Sequence, residues 1–255
     1  MEMTNASDET APFVHESSGR LRGRRIVVTG AASGIARCTA QLFQQEGASL
    51  TLLDRDATGL AKTCGETGGH GFQVDITDET AVADAVEKGA SAMGGIDGIV
   101  NAAGIMLRGS VLDVPVATWR QVLDINLTGA YVIIRSCLPW MMREPAGTIV
   151  NIASAQGLLP NAPNYTAYAA SKGGVVNLTR ALAAELAPKI RVNSICPGMV
   201  DTPMADGVRA NLSSYALHRL GSPIEIARAI LFLTASDSSY VTGAALAADG
   251  GRSFH

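Results

Sequence analysis

Tyr168 and Lys172 stand four residues apart in the run Tyr-Ala-Ala-Ser-Lys, a spacing that puts both side chains on one face of a helix. A phenol titrates near ~10 in water, so using it as a proton acceptor at neutral pH requires stabilising its anion by roughly 4 kcal/mol, at about 1.36 per pK unit. An ammonium at about 4 Å supplies ~1 kcal/mol in bulk water, but ~4 at the effective dielectric of a shielded site. The pair therefore does acid–base chemistry only inside a partly closed pocket. In the open it is packing plus a solvated amine.

A second stretch offers such a pocket a reaction partner. Thr29-Gly30-Ala31-Ala32-Ser33-Gly34-Ile35-Ala36 follows the β-branched run Ile26-Val27-Val28 and opens a helical pattern from about Gly34 to Glu46, closed by Gly47. At a strand-to-helix junction glycines let the backbone approach a pyrophosphate, whose charge the helix N-terminus favours. No Gly-Lys-Ser/Thr follows, which disfavours ATP or GTP hydrolysis. Asp54 ends the next strand, 24 residues after Gly30, where a dinucleotide fold places the acid that holds a ribose. Its carboxylate would repel a 2′-phosphate, and Ser33 before Gly34 offers no compensating cation. Arg55 points the other way, since a guanidinium there could accept that phosphate.

The elements that must position these residues alternate. Strands are expected at Ile26–Val28, Ser49–Leu53, Phe72–Val74, Ile99–Val100, Thr148–Ile152 and Val192–Cys196, with helices near Gly34–Glu46, Asp78–Met93, Thr118–Arg143 and from before Tyr168 to Pro188. Such alternation predicts a parallel sheet covered by helices. Ser222-Pro223-Ile224-Glu225 carries an N-cap, a proline in the first turn and a capping-box acid, so that helix should turn Ile226, Ile230 and Leu233 inward. Residues 1–20 read as a flexible tail and 21–255 as one domain. Within it Met199–Gly221 is the least regular stretch and a candidate substrate lid, with a mobile helical excursion expected at Ala205–Leu217.

Composition narrows the class. Hydrophobic residues make up 47% and charged ones 17%, with a net charge of −3, giving a nucleic-acid partner little electrostatic support. Arg20, Arg22, Arg24 and Arg25 form the one basic cluster and are expected to be a solvated lead-in. Cys38, Cys64, Cys137 and Cys196 lack any Cys-x-x-Cys spacing and are expected reduced, as in a cytoplasmic protein. His15, His70, His218 and His255 contain no metal-ligand pair. Met1–Gly19 lacks the apolar core of a signal peptide, and no run approaches 18 apolar residues, so neither a metal mechanism nor a membrane location is expected.

The combination of Thr29-Gly30 with Gly34, Asn101-Ala102-Ala103-Gly104, Asn126, Ser154, Tyr168 with Lys172, and Pro197-Gly198 followed by Thr202 resembles the short-chain dehydrogenase/reductase family in order and spacing, over about Leu21 to Gly251. The resemblance implies a single-domain, Rossmann-like, doubly wound parallel α/β sheet of about seven strands with helices on both faces. It implies that Tyr168 is the catalytic acid/base, that Lys172 lowers its pKa and bonds the nicotinamide ribose, that Ser154 orients the substrate oxygen, and that Asn126 holds a relay water.

By the same resemblance NAD would be bound by the turn residues Gly30, Ser33, Gly34 and Ile35, by Asp54, by Asp75 and Ile76 near the adenine, by Asn101, Ala102 and Gly104, by Tyr168 and Lys172, and by Pro197, Gly198, Val200 and Thr202. The substrate, a small-molecule alcohol or ketone, would meet Ser154, Gln156, Tyr168 and Met199. A pocket wall of Leu107, Gln156, Leu158, Leu159, Met199 and part of Met204–His218 suggests a neutral, medium-sized molecule. A homotetramer or dimer packed through Thr118–Arg143 and Tyr168–Ala187 is also implied.

Three departures stand out. Ala36 occupies the usual third-glycine position, Ala102 replaces a common asparagine, and Ser154 to Tyr168 spans 14 positions, about one more than expected, with the extra residue placed in Asn161–Asn164. The reading is an NAD(H)-dependent interconversion of a secondary alcohol and a ketone. Its alternatives are an NADPH-dependent 3-oxoacyl thioester reductase and an inactive dinucleotide sensor.

Overall fold

In the computed structural model residues 19–205 and 212–253 are described. The expected tail, up to residue 18, and residues 206–211 of the expected lid lie outside them. β1 (Arg25–Thr29) is buried at every position after its first, as a strand covered on both faces must be. Ile26 and Val28 pack into one apolar cluster with α1 (Gly34–Gln45) and α8 (Pro223–Thr234), whereas Val27 joins a second with α3 (Glu79–Met93), α5 (Gly129–Met141) and α7 (Thr166–Leu186). The alternation of side chains along one strand thus assigns helices to the two faces of the sheet.

The remaining strands are β2 (Ser49–Asp54), β3 (His70–Gln73), β4 (Gly98–Asn101), β5 (Gly147–Ile152), β6 (Ile190–Pro197) and β7 (Ala245–Ala248). All seven are parallel in the order β3-β2-β1-β4-β5-β6-β7, which is the expected doubly wound sheet. The order reverses between β1 and β4, where Thr29 pairs with Asn101 and Asn101 with Asn151. Crevices outside the carboxyl ends of strands at such a reversal are where open α/β sheets bind ligands.

Local signals explain the boundaries. α3 starts where Asp78 accepts the N–H groups of Thr80 and Ala81, each at 3.0 Å, and stops at Gly94 with φ 75°, a left-handed cap that glycine adopts without strain. At α8 Glu225 reaches back to the Ser222 N–H at 2.8 Å, completing the capping box, and Ile226, Ile230 and Leu233 are buried as expected.

Three expectations are corrected. The single helix expected at Thr118–Arg143 is α4 (Val116–Leu123) and α5, joined by a π-helical turn at Asp124–Thr128. An i→i+5 turn hides inside a helical hydrophobic period, and such turns cluster at functional sites. The helical excursion at Ala205–Leu217 is, in its described parts, two 3-10 turns at Pro203–Ala205 and Leu212–Ser214, as proline and paired serines favour.

The arginine run is not a solvated lead-in. Arg24 and Arg25 both bond the buried carboxylate of Asp97, Arg25 also pairs with Glu144, and Arg20 pairs with Glu46 at 2.7 Å. Arg22 alone of the four is exposed with no ion pair among the described residues. These ties gather at the amino ends of β1 and β4, opposite the crevice.

Candidate functional site

Beyond the carboxyl ends of the strands lies a cleft of about 640 Å³. Its β1–β2 side is built from the glycine turn. Gly30 has φ 72°, and a Cβ there would meet the Ala103 backbone at 2.9 Å, so only glycine lets the β1 and β4 turns touch. Thr29 locks that contact, its hydroxyl accepting the N–H groups of Ala102 and Ala103, each at 3.1 Å. Ser33 precedes α1, whose first residue, Gly34, has φ 55°, so the helix N-terminus opens on the cleft.

Asp54 lines the same side. Its Oδ2 accepts the Ala32 N–H at 2.9 Å and its Oδ1 the Asp56 N–H at 2.9 Å, fixing an anionic acceptor beside the turn. Asp75 and Ile76 follow from β3, and the Asp75 carboxyl is held below its ordinary value by hydrogen bonds from Thr77 and by Arg55. The methyl of Ala36 is accommodated in the core behind the turn, at 3% exposure. A glycine cradle, a helix N-terminus and a fixed carboxylate suit a dinucleotide's pyrophosphate and ribose.

The other side carries the acid–base pair. Tyr168 and Lys172 lie on α7, both buried, with the Lys172 Nζ 5.8 Å from the Tyr168 ring centre. Ser154 caps α6 (Ala155–Leu158), its hydroxyl accepting the Gln156 N–H at 3.1 Å. Lys172 donates to the Ile152 carbonyl at 2.7 Å, which aims the ammonium across the end of β5, and a Cβ on Gly104 would come within 3.4 Å of it.

Burial works against both charged forms here. It raises the Tyr168 phenol above 10, opposed by a hydrogen bond with Ser154, and brings Lys172 down to about 8. Burial of the ring thus opposes the phenolate that the Lys172 ammonium, and the charge of an oxidised nicotinamide, are expected to favour. At a separation of this order a unit charge is worth about 3 kcal/mol at an effective dielectric of 20, roughly two pK units in favour of the phenolate.

The shift on Lys172 carries a prediction. Between about pH 8 and 10 the unfolded chain holds a proton on this lysine that the folded chain lacks, so linkage makes stability rise with pH in that window, while below it the folded state bears the full cost of the buried charge. Denaturation midpoints of the cofactor-free protein should rise from about pH 8 to 9.5 relative to those of Lys172→Met. A difference between the two that stays flat with pH would contradict the assignment.

Every residue expected to bind cofactor or substrate lines this cleft except Asn101, and of the four expected catalytic residues only Asn126 does not. Asn101 is buried beneath it, donating to Asn151 at 3.0 Å and to the Ala130 carbonyl at 3.4 Å, so it ties β4 to β5 and α5. Asn126 sits in the π turn with its amide fully engaged. It accepts the Ile105 N–H at 2.8 Å and donates to the Ile105 carbonyl at 2.9 Å and the Ser171 hydroxyl at 3.0 Å. Its side chain pins the 101–105 turn.

The substrate end also differs from expectation. Leu107, Leu158 and Leu159 do not line the cleft, whereas Gln156, Met199, Met204 and Tyr215 do. Leu158 packs into the core with Val175 and Val176 instead. Sequence reasoning missed Arg108, Tyr165 and Arg252, which all face the cleft; arginines beside the Asn101–Gly104 turn and after Asp249-Gly250-Gly251 were the available signal. The loop expected to hold the extra position supplies Ala162 and Pro163 to the rim, and Asn164 adopts φ 67°. Met199 and Gly221, the ends of the expected lid, are joined by a hydrogen bond at 3.0 Å from the Gly221 N–H to the Met199 carbonyl, and the Tyr215 hydroxyl accepts the Met199 N–H at 3.3 Å. Among the described residues no helix is long and apolar enough to cross a membrane.

Comparison with known proteins agrees with this geometry. The family model described as enoyl-(acyl carrier protein) reductase matches residues 30–253. The chain is 39% identical over 243 residues to a 3-oxoacyl-[acyl-carrier-protein] reductase of Thermotoga maritima, covering 91% of this chain and 98% of that protein. It is 41% identical over 244 residues to the galactitol 2-dehydrogenase (L-tagatose-forming) of Cereibacter sphaeroides, covering 91% and 96%. A carveol dehydrogenase from Mycobacterium avium, solved in complex with NAD, superposes with a TM-score of 0.87 at 30% identity, covering 92% of this chain and 99% of that one. With that sheet, that cleft and these relatives, the chain belongs to the short-chain dehydrogenase/reductase family, oxidoreductases of CH–OH groups that work with a nicotinamide dinucleotide.

Proposed function

We propose that this protein interconverts a secondary alcohol and a ketone with NAD(H), and that Tyr168 is the group that takes or returns the proton. The observation that carries this reading is the convergence of Tyr168, Lys172 and Ser154 in one cleft whose far side holds the Gly30 turn and Asp54. When bound, the oxidised nicotinamide supplies the hydride acceptor and a positive charge near the pocket.

In oxidation Ser154 holds the alcohol oxygen by its hydroxyl. Tyr168, as phenolate, accepts the proton from that oxygen as the C–H bond gives up its hydride. Lys172 keeps the phenolate accessible near neutral pH, its position fixed by the Ile152 carbonyl. In reduction the same phenol returns the proton to the forming alkoxide. Asn126 acts as a positioning residue for the Gly104 turn. Residues 199–221 act as a lid hinged where Met199 and Gly221 meet.

NAD is favoured over NADP because the fixed Asp54 carboxylate would face a 2′-phosphate. Asp54→Ala should lower the NAD-to-NADP ratio of kcat/KM by about 10- to 100-fold, the scale of a hydrogen bond to a charged group. Assay of secondary alcohols and ketones with both cofactors tests the whole reading, and a clear wild-type preference for NADPH would overturn the cofactor assignment. That result would favour the second reading, a 3-oxoacyl thioester reductase, for which Arg55 and the 39% identical relative speak. Association into a dimer or tetramer through α4, α5 and α7 belongs to the same proposal, and sedimentation velocity tests it.

A further inference from the structure

We propose that Arg252 and Arg108 form an anion-binding end of the substrate pocket and that the alcohol or ketone carries a carboxylate. This inference rests on the dehydrogenase reading of the same cleft and narrows its substrate class. Arg252 lines the cleft yet is only 8% exposed. Its Nη2 donates to the Asn161 side-chain oxygen, while its Nη1 is buried with no hydrogen-bond partner. A buried guanidinium donor without an acceptor is costly and uncommon, and here it belongs to a residue that lines the cleft.

Asp249, the acid in the same turn, does not pair with that side chain. Its oxygens are taken by the N–H groups of Gly251 and Arg252 and by Ser253. Arg108 lines the same cleft, its guanidinium carbon 5.0 Å from the Tyr165 ring centre, and Tyr165 stands edge-on to Tyr168 at 6.4 Å. One aromatic ring therefore separates Arg108 from the proposed proton acceptor. Among the described residues neither arginine has an ion-pair partner.

The anion is not a phosphate of the dinucleotide. Gly30, Asp54 and Asp75 sit by β1 to β3, whereas Arg252 follows β7 at the opposite edge of the sheet. A planar carboxylate matches a guanidinium fork, and with Asp249 in the same turn the local charge suits a monoanion.

Two readouts test this. Hydroxybutanoate, hydroxypentanoate and hydroxyhexanoate, each with its hydroxyl on the penultimate carbon, are assayed against their primary amides. Separately, calorimetry compares cyclohexanecarboxylate with cyclohexanecarboxamide on the NAD-loaded protein. The wild type should favour the acid by about 10- to 100-fold in both. Arg252→Gln should erase most of that preference and Arg108→Gln part of it, with the amides little changed.

Asn161→Ala removes the bond that holds Arg252 but keeps the charge, and should preserve the preference. Equal wild-type treatment of acids and amides would overturn the proposal. So would an Arg252→Gln variant that loses acid and amide alike, since the arginine would then only hold its loop. Selective binding of the acid without turnover of any alcohol would leave the anion site standing and sink the dehydrogenase reading.

Discussion

Replacing Tyr168 with phenylalanine should lower kcat by about 10²- to 10⁴-fold, the range attached to proton transfer by a positioned group, while NAD binding stays within a few-fold. The separation of the two effects follows from the site. The ring of residue 168 is buried and packs edge-on against Tyr165 at 6.4 Å, and phenylalanine keeps that contact, so the denaturation midpoint should move little. What disappears is the one hydroxyl on α7 that meets Ser154. A variant that retained most of its activity would show that another group moves the proton. A variant that lost cofactor binding and activity together would show that Tyr168 mainly shapes the cofactor site.

The second large effect is on stability. Asp97 is buried at the start of β4, with Arg24 and Arg25 both bonded to its carboxylate and the Arg25 N–H adding a third bond at 3.2 Å. Removing one partner of a buried ion pair typically costs about 3–5 kcal/mol, because the charge left behind has lost its counter-ion. Arg24 and Arg25 keep about a quarter of their side-chain surface in water, and Arg24 keeps neutral acceptors in the Thr234 carbonyl at 2.9 Å and the Thr148 hydroxyl at 2.8 Å. Asp97→Ala should therefore fall near the lower end, about 3 kcal/mol, or roughly 10 °C in Tm for a chain of this size. Because these residues sit at the amino ends of the strands, kcat of the folded variant should be unchanged. A stability change under about 1 kcal/mol would mean that the network is merely solvated charge.

That network marks where the sequence could be read and where it could not. The sheet, its helices and the cofactor side of the cleft were legible because each depends on local signals. Examples are β-branched runs ending in glycine or aspartate, the Ser222 capping box, and the four-residue step from Tyr168 to Lys172. The arginine cluster was misread because its partners, Asp97 and Glu144, are 72 and 119 residues away from Arg25, and a charge run looks the same whether or not distant carboxylates meet it. Asn101 and Asn126 were expected at the cleft from the family resemblance. Only the hydrogen-bond geometry reveals that the Asn101 amide ties β4 to β5 and α5, and that the Asn126 amide holds the Ile105 backbone.

The substrate end was the least legible part. Arg108, Tyr165 and Arg252 come from three separate loops, brought together by crossovers that no local spacing encodes. Leu158 and Leu159, expected in the wall, close the single helical turn of α6, and Leu158 packs into the core. The π turn at Asp124–Thr128 was likewise invisible, since one extra residue per turn leaves the apolar period of the flanking helices almost intact.

The central claim is that the cleft oxidises secondary alcohols with a nicotinamide, and it is tested most directly by following nicotinamide absorbance when the wild-type protein is given NAD and a panel of charged and neutral secondary alcohols. The account predicts ketone formation from at least one member, matched one-to-one by NADH and abolished in Tyr168→Phe. A protein that binds NAD with ordinary affinity yet oxidises none of them, and reduces none of the matching ketones with NADH or NADPH, would contradict it and leave a dinucleotide sensor in place of an enzyme.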